Sequence, residues 1–239
     1  MDFYSRINQH YDQLFPVKKK AVEMIASLVK GDGPVIDLAA GTGNEVIALA
    51  SKKLCCIGLD LNEEMIKSAR NKSKHVSDFS KFYVKDIRRL NDLKITNASS
   101  IYCIGNSIVH LSNQDEISQV LEDCYYTLES GSAFIIQTVN YDKIKDQHIT
   151  SLPTLNNPEH DILFERHYIH HESSIIFKGI LHSGGQRSEV ETTLLPVTSG
   201  EWGKIIKKSS FEFFSFYGDF NQSFFNSDSP ALILVLTKK

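Results

Sequence analysis

Val35-Ile36-Asp37-Leu38-Ala39-Ala40-Gly41-Thr42-Gly43-Asn44 is the stretch whose reading decides the fold. An apolar run delivers an acid, Asp37. A tight turn with two glycines follows and opens into a helical pattern over residues 45–51. Glycine at 41 and 43 lets the backbone approach a ligand with no Cβ in the way. In a parallel α/β sheet, ligands bind outside the carboxyl ends of the strands, so this turn is where a site belongs.

Upstream of the turn, Val17, Ala21, Met24, Ile25 and Leu28 recur at helical spacing, which predicts a helix over 16–30 with Gly31 as its cap. Downstream, apolar runs at 54–59 (ending at Asp60), 82–84 (ending near Asp86), 100–104 and 133–139 read as strands. Helical patterns at 63–71, capped by Asn62, and from Ser112 or Asn113 to Leu128 lie between them. Near-continuous apolar strands separated by helices predict a parallel sheet covered on both faces. After Asn140 the pattern changes. Runs of mixed polarity at 162–170, 174–182 and 188–197, the last two joined by Gly184-Gly185, predict an antiparallel meander. A helix at 201–208 and strands at 211–216 and 231–237 close the chain. The expected architecture is α/β: a Rossmann-like, seven-stranded, mostly parallel sheet with an antiparallel last strand and a small antiparallel insertion. Residues 1–239 form one domain, with 1–30 as a helical cover and 145–199 as the inserted meander near the substrate.

Composition agrees. The chain has 239 residues, 41% hydrophobic and 23% charged, enough for one large core. A net charge of −3 gives no general electrostatic footprint for nucleic acid. The sequence lacks an apolar run of about 18 residues, so no membrane span is expected. Residues 1–6 lack the basic start of a signal peptide, and the four cysteines read as buried free thiols. The expectation is a cytoplasmic protein with a small-molecule partner, without nucleic acid or membrane. Monomer and homo-oligomer stay equally open.

Which ligand the turn holds follows by elimination. The dinucleotide fingerprint G-x-G-x-x-G/A needs a small third residue for close helix–strand packing, and counting from Gly41 that position is Val46. A P-loop needs Gly-Lys-Ser/Thr after the turn, where Asn44-Glu45 stands. A cationic, hydroxyl-rich ligand fits better. Asp37 can face positive charge, Asp60 can accept two ribose hydroxyls, and Asp86 can accept from an exocyclic amine. A ligand with cation, ribose and adenine is S-adenosylmethionine.

Asp37-Leu38-Ala39-Ala40-Gly41-Thr42-Gly43, Gly58-Leu59-Asp60-Leu61-Asn62-Glu63-Glu64-Met65 and Val84-Lys85-Asp86 resemble, in order and spacing, the cofactor motifs of class I methyltransferases. The resemblance covers most of the chain, with Ala39 standing where the family often has glycine. It implies that Asp60 binds the ribose, that Met65 packs near the adenine, and that Asp86 and Ile87 border the base. Thr42, Leu61, Ile104, Gly105 and Tyr11 complete the expected cofactor set. On the substrate side, Gly105-Asn106-Ser107 with His110-Leu111, and Val139-Asn140-Tyr141-Asp142, are similar to the glycine N-methyltransferase group. The chain lacks the Asn-Pro-Pro-Tyr or Asp-Pro-Pro-Tyr of enzymes that methylate nucleic-acid bases.

The resemblance therefore implies methylation of a small molecule, at an amino group, by direct in-line transfer. Alternatives are a non-catalytic S-adenosylmethionine-binding module and a nicotinamide-dependent oxidoreductase. Transfer from a sulfonium needs alignment more than acid–base chemistry. The candidates are therefore positioning groups: Asn106, His110, Asn140 and Tyr141, with Tyr4 and Tyr11 from the N-terminal cover. Arg166 suits a substrate carboxylate because its fork pairs in bidentate fashion. His167, His170, His171 and Glu172 read as a solvated strand and turn, with no metal expected. The aromatic cluster from Phe211 to Phe225 reads as core and packed hairpin.

Overall fold

The structure, a computed structural model, describes residues 10–239. In chain order its elements begin with helices α1 (Tyr11–Leu14) and α2 (Lys19–Ser27), strand β1 (Val35–Asp37), α3 (Asn44–Ala50), β2 (Cys56–Asp60) and α4 (Glu63–Lys72). Next come β3 (Ser80–Val84), β4 (Ser100–Cys103), α5 (Gln114–Thr127), β5 (Ala133–Val139) and α6 (Tyr141–Asp146). The antiparallel strands β6 (Ser151–Asn157), β7 (Ile162–His170), β8 (Ile175–Ser183) and β9 (Gln186–Leu194) precede α7 (Ser199–Ile206), β10 (Phe213–Tyr217) and β11 (Ala231–Thr237).

The main sheet has seven strands in the order β10-β11-β5-β4-β1-β2-β3. Strand β1 pairs in parallel with β2 on one side and β4 on the other, so chain order reverses there and a crevice opens at its carboxyl end. Strand β11 runs antiparallel to both β5 and β10. All residues of β1 and β4 are buried, which is why they read as unbroken apolar runs. Consecutive side chains feed opposite layers: Val35 belongs to the hydrophobic cluster that includes Ile25, Val46 and Ile135, and Ile36 to the one that includes Ile101, Phe134 and Trp202.

Local signals place the helices. The Asn62 side chain accepts from the Met65 amide at 3.0 Å, and Asn113 from Glu116 at 2.9 Å, each ahead of acids in the first turn. Helix α2 is shorter than the predicted span of 16–30. Pro16, Val17 and Lys18 precede the helix and line the cavity described below, and Gly31 lies beyond the helix in the left-handed region.

The insertion is a separate four-stranded sheet, β6-β7-β8-β9, where the pattern predicts three strands. Strand β6 escapes sequence reading because Pro153 and a register shift between Leu152 and Leu155 break its alternation, both tolerated at a sheet edge. Gly184 and Gly185 form the β8–β9 turn with φ of +57° and +71°, values that favour glycine at both positions. Two expectations need correction. Cys55 precedes β2 and is exposed, while Cys56, Cys103 and Cys124 are buried. The aromatic cluster is only partly packed: Phe211 is buried, but β10 is an edge strand, and Phe213 and Phe224 are 56% and 89% exposed. Among the described residues no helix is long and apolar enough to cross a membrane.

Gly58 in β2 sits where a Cβ would lie 2.7 Å from the Phe82 ring and 2.9 Å from the Ala40 Cβ. Gly58→Ala is expected to lower unfolding free energy by about 1–3 kcal/mol through overpacking, read as a lower urea midpoint at unchanged slope.

Candidate active site

A cavity of about 820 Å³ lies at the carboxyl ends of β1, β2, β4 and β5, closed by α1 and by the inner face of the inserted sheet. The two glycines of the turn do different work. Gly41, at φ +52°, lines the cavity, and the Tyr11 ring rests within ordinary contact of where its Cβ would be. Gly43 does not line it. Its φ of +83° caps α3, and a Cβ there would meet Phe82 at 2.8 Å. The sequence expectation that both admit a ligand is thus corrected for Gly43: its lack of a side chain makes room for Phe82.

The acids sit as anticipated at the strand ends, each already in use. Asp37 is buried and accepts from the Ala39 amide at 3.0 Å. Burial pushes its carboxyl well above the usual range, and it has no cationic partner among the described residues. Asp60 accepts from the Gly41 amide at 2.8 Å and from the Asn62 amide at 2.9 Å, one on each oxygen. Asp86 is less available than the sequence suggests. The Arg88 guanidinium grips both its oxygens, at 3.0 Å and 2.6 Å, holds the carboxyl below its ordinary pKa, and reaches on to Glu116 at 2.9 Å. Leu61 is 70% exposed and lines the cavity with buried Met65 and with Ile87, an apolar surface for a flat base. Ala39, Thr42, Ile104 and Gly105 complete this wall.

Tyr11 lines the cavity beside a residue that the sequence does not single out. Asp12 accepts from the Thr42 hydroxyl at 2.5 Å, from Asn44 at 3.0 Å and from the Lys72 ammonium at 2.6 Å, fastening α1 to the turn. Those partners lie 30 to 60 positions away, with no local signal to connect them. Tyr4 lies outside the described residues.

The acceptor side is built by β4, β5 and the insertion. Asn106 has a left-handed backbone (φ +66°). Its side chain accepts from the Val139 amide at 3.0 Å and donates to the Tyr141 hydroxyl at 3.1 Å, locking the β4 turn to β5. Gly105, also left-handed, donates its amide to the Gln137 side chain at 2.7 Å. His110 opens onto the cavity with Nδ1 3.4 Å from the Thr192 hydroxyl, and the surrounding protein lowers its pKa by desolvation. Arg166 lines the cavity from β7. One terminal nitrogen donates to the Pro153 carbonyl at 2.5 Å, while Nε is buried without a partner.

Asn140 and Tyr141 do not belong to the cavity wall. Asn140 caps α6 through the Lys143 amide and donates to the carbonyls of Asn226, Ser227 and Ser229, so its side chain is consumed. Tyr141 is fully buried behind Asn106. Further out, His167 pairs with Glu165, and His170 stacks on His148 at 4.3 Å. Among the described residues no three His, Cys, Asp or Glu side chains gather to hold a metal. The sequence pattern does not single out the apolar face of Leu152, Phe164, Tyr168, Phe177 and Leu194, although the alternation along β7 carries its signal.

A family model described as a methyltransferase domain matches residues 30–209. The chain belongs to the methyltransferase domain family. Its cofactor is S-adenosylmethionine. The residues present fit that group: a buried acid with no cationic partner among the described residues (Asp37), a carboxylate at the next strand end (Asp60) and an apolar surface (Leu61, Met65, Ile87) line one cavity. The methyltransferase is 25% identical over 211 residues to a glycine/sarcosine/dimethylglycine N-methyltransferase of Actinopolyspora halophila, covering 88% of this chain and 36% of that protein. It is 22% identical over 205 residues to a glycine/sarcosine N-methyltransferase of Aphanothece halophytica, covering 86% and 76%. It thus spans about a third of the first relative and three quarters of the second. An S-adenosylmethionine-dependent methyltransferase structure from Clostridium acetobutylicum shares the fold at a TM-score of 0.83, with 18% identity and 99% of both chains covered.

Two outcomes follow from this geometry. Asn140→Ala is expected to cost about 1–3 kcal/mol of stability in chemical denaturation, from a lost cap and orphaned carbonyls, with S-adenosylmethionine affinity unchanged by calorimetry. The His110 imidazole is expected to titrate below the ordinary value of about 6.5 by NMR. A His pKa depressed in the folded state contributes stability that is present above the unfolded value and lost as pH falls through the folded one. The stability difference between wild type and His110→Asn should therefore narrow or reverse in favour of the variant as the medium is acidified below that range.

Proposed function

We propose that this methyltransferase alkylates an amino group of a small molecule by direct in-line transfer. The observation that carries the reading is a single cavity bounded by two chemically different walls. One holds Asp37 and Asp60. The other, formed by β6–β9, contributes one guanidinium and no acid. The N-methyltransferase relatives support nitrogen as the acceptor atom.

S-adenosylmethionine supplies a methyl group on a sulfonium. Burial favours the neutral form of Asp37, which lacks a cationic partner among the described residues, and the positive end of the ligand beside it favours the charged form. Asp60, at the end of β2 in the cavity wall, is the acceptor assigned to the ribose hydroxyls. Tyr11 and α1 cover the turn and exclude water. The C–N bond forms as the C–S bond breaks, and the nitrogen sheds one proton. His110, neutral at pH 7 because desolvation lowers its pKa, stands in the same wall to receive it. Asn106 acts as a positioning residue, since it fixes the loop that carries His110 against β5. Alignment supplies most of the rate, an effect worth roughly 7–11 kcal/mol for well-oriented reactants.

Calorimetry is expected to show micromolar binding of S-adenosylmethionine and S-adenosylhomocysteine, weakened about 10- to 100-fold in Asp60→Ala, as loss of hydrogen bonds to a charged acceptor implies. A panel of amines should release S-adenosylhomocysteine. Tight binding with no release from any amine would replace enzyme by binding module.

A further inference from the structure

We infer that the acceptor is an amine bearing both a carboxylate and a bulky apolar body, of the aromatic amino acid class, with the carboxylate on Arg166 and the body against β7 and β8. This rests on the amine-methylation reading above and narrows its substrate.

Three observations converge. First, Arg166 is incompletely used. Nη2 has the Pro153 carbonyl, Nε is buried with no partner, and no carboxylate lies within ion-pair reach among the described residues. A guanidinium fork in that condition is matched by a planar carboxylate, which satisfies two N–H groups at once. Second, Phe164, Arg166 and Tyr168 alternate onto one face of β7, opposite Leu181, Gly179 and Phe177 of β8. The charged group is thus set between aromatic side chains, and Leu152 and Leu194 extend the apolar wall. Phe164, Tyr168 and Leu194 are already buried, while Leu152 and Phe177 keep part of their surface open. A two-carbon zwitterion such as glycine would reach Arg166 and leave Leu152 and Phe177 uncovered, whereas a benzyl-sized group would cover them. Third, the acids of the cavity, Asp37, Glu45, Asp60, Asp86 and Glu116, all come from the main sheet and its helices and connections, and none comes from the insertion. An acceptor whose anion seats on Arg166 therefore turns its nitrogen away from the insertion and toward the sulfonium side.

The test compares glycine, sarcosine, L-phenylalanine and phenethylamine, the last lacking only the carboxylate, by S-adenosylhomocysteine release. It uses the full chain and its Arg166→Gln, Arg166→Lys and Phe177→Ala variants. S-adenosylmethionine affinity of each variant, by calorimetry, certifies a folded protein. Wild type is expected to favour L-phenylalanine over glycine in kcat/KM by about 30-fold or more, the range for burying an aromatic side chain, and over phenethylamine by about 10-fold or more, the range for a charge-assisted hydrogen bond. Arg166→Gln should erase the second preference while phenethylamine turnover stays within about threefold, and Arg166→Lys should recover only part of it. Phe177→Ala should lower L-phenylalanine turnover about 10-fold and spare glycine. Glycine or sarcosine used as well as L-phenylalanine would overturn the inference and leave amine methylation standing, as would equal loss of L-phenylalanine and phenethylamine in Arg166→Gln. Release from no amine, with the cofactor bound, would overturn both.

Discussion

The hydrogen bond from the Gly41 amide to the Asp60 carboxylate joins the carboxyl ends of β1 and β2, and the site is organised around it. It fixes the turn in which Gly41 is left-handed, sets where α3 begins, and holds the Asp60 carboxylate in the cavity wall. The second Asp60 oxygen holds the Asn62 amide, so the same carboxylate also orients the start of α4 and brings Met65 to the wall. One side chain thereby couples two strand ends, two helix starts and the cofactor wall. The parallel pairing of β1 with both β2 and β4 makes room for this by opening the sheet at that point.

Much of this is legible in the sequence because it is local. Buried parallel strands announce themselves as apolar runs, caps as Asn before acids, and the turn as glycine after an acid. What the sequence hides depends on partners far along the chain. Asn140 looks like a loop residue free to meet substrate, but carbonyls 86 to 89 positions away consume its amide. Tyr141 looks reachable and lies behind Asn106. Asp86 reads as an open acceptor until Arg88, two positions on, folds back onto it. Strand β6 is lost to Pro153 and a bulge, and Gly43 serves Phe82 rather than the ligand.

The contrast between the two cavity walls matches how such folds diversify. The main sheet and its turn supply Asp37 and Asp60, and the family match runs through them and on across the insertion, over residues 30–209. The inserted sheet supplies Arg166 and its aromatic neighbours from strands whose inner face is set only by alternation. Sequence identity of 22–25% to the N-methyltransferase relatives is compatible with a shared cofactor wall and a different acceptor wall. Fold fixes the first and leaves the second free to vary.

Helix α1 touches both walls. Asp12 and Tyr11 bear on the glycine turn, and Phe15 meets Phe164 of the inserted sheet edge-on at 6.2 Å. A four-residue helix is too short to hold its shape alone, so its order is borrowed from what it touches. Occupancy of either wall and the seating of α1 are therefore thermodynamically linked.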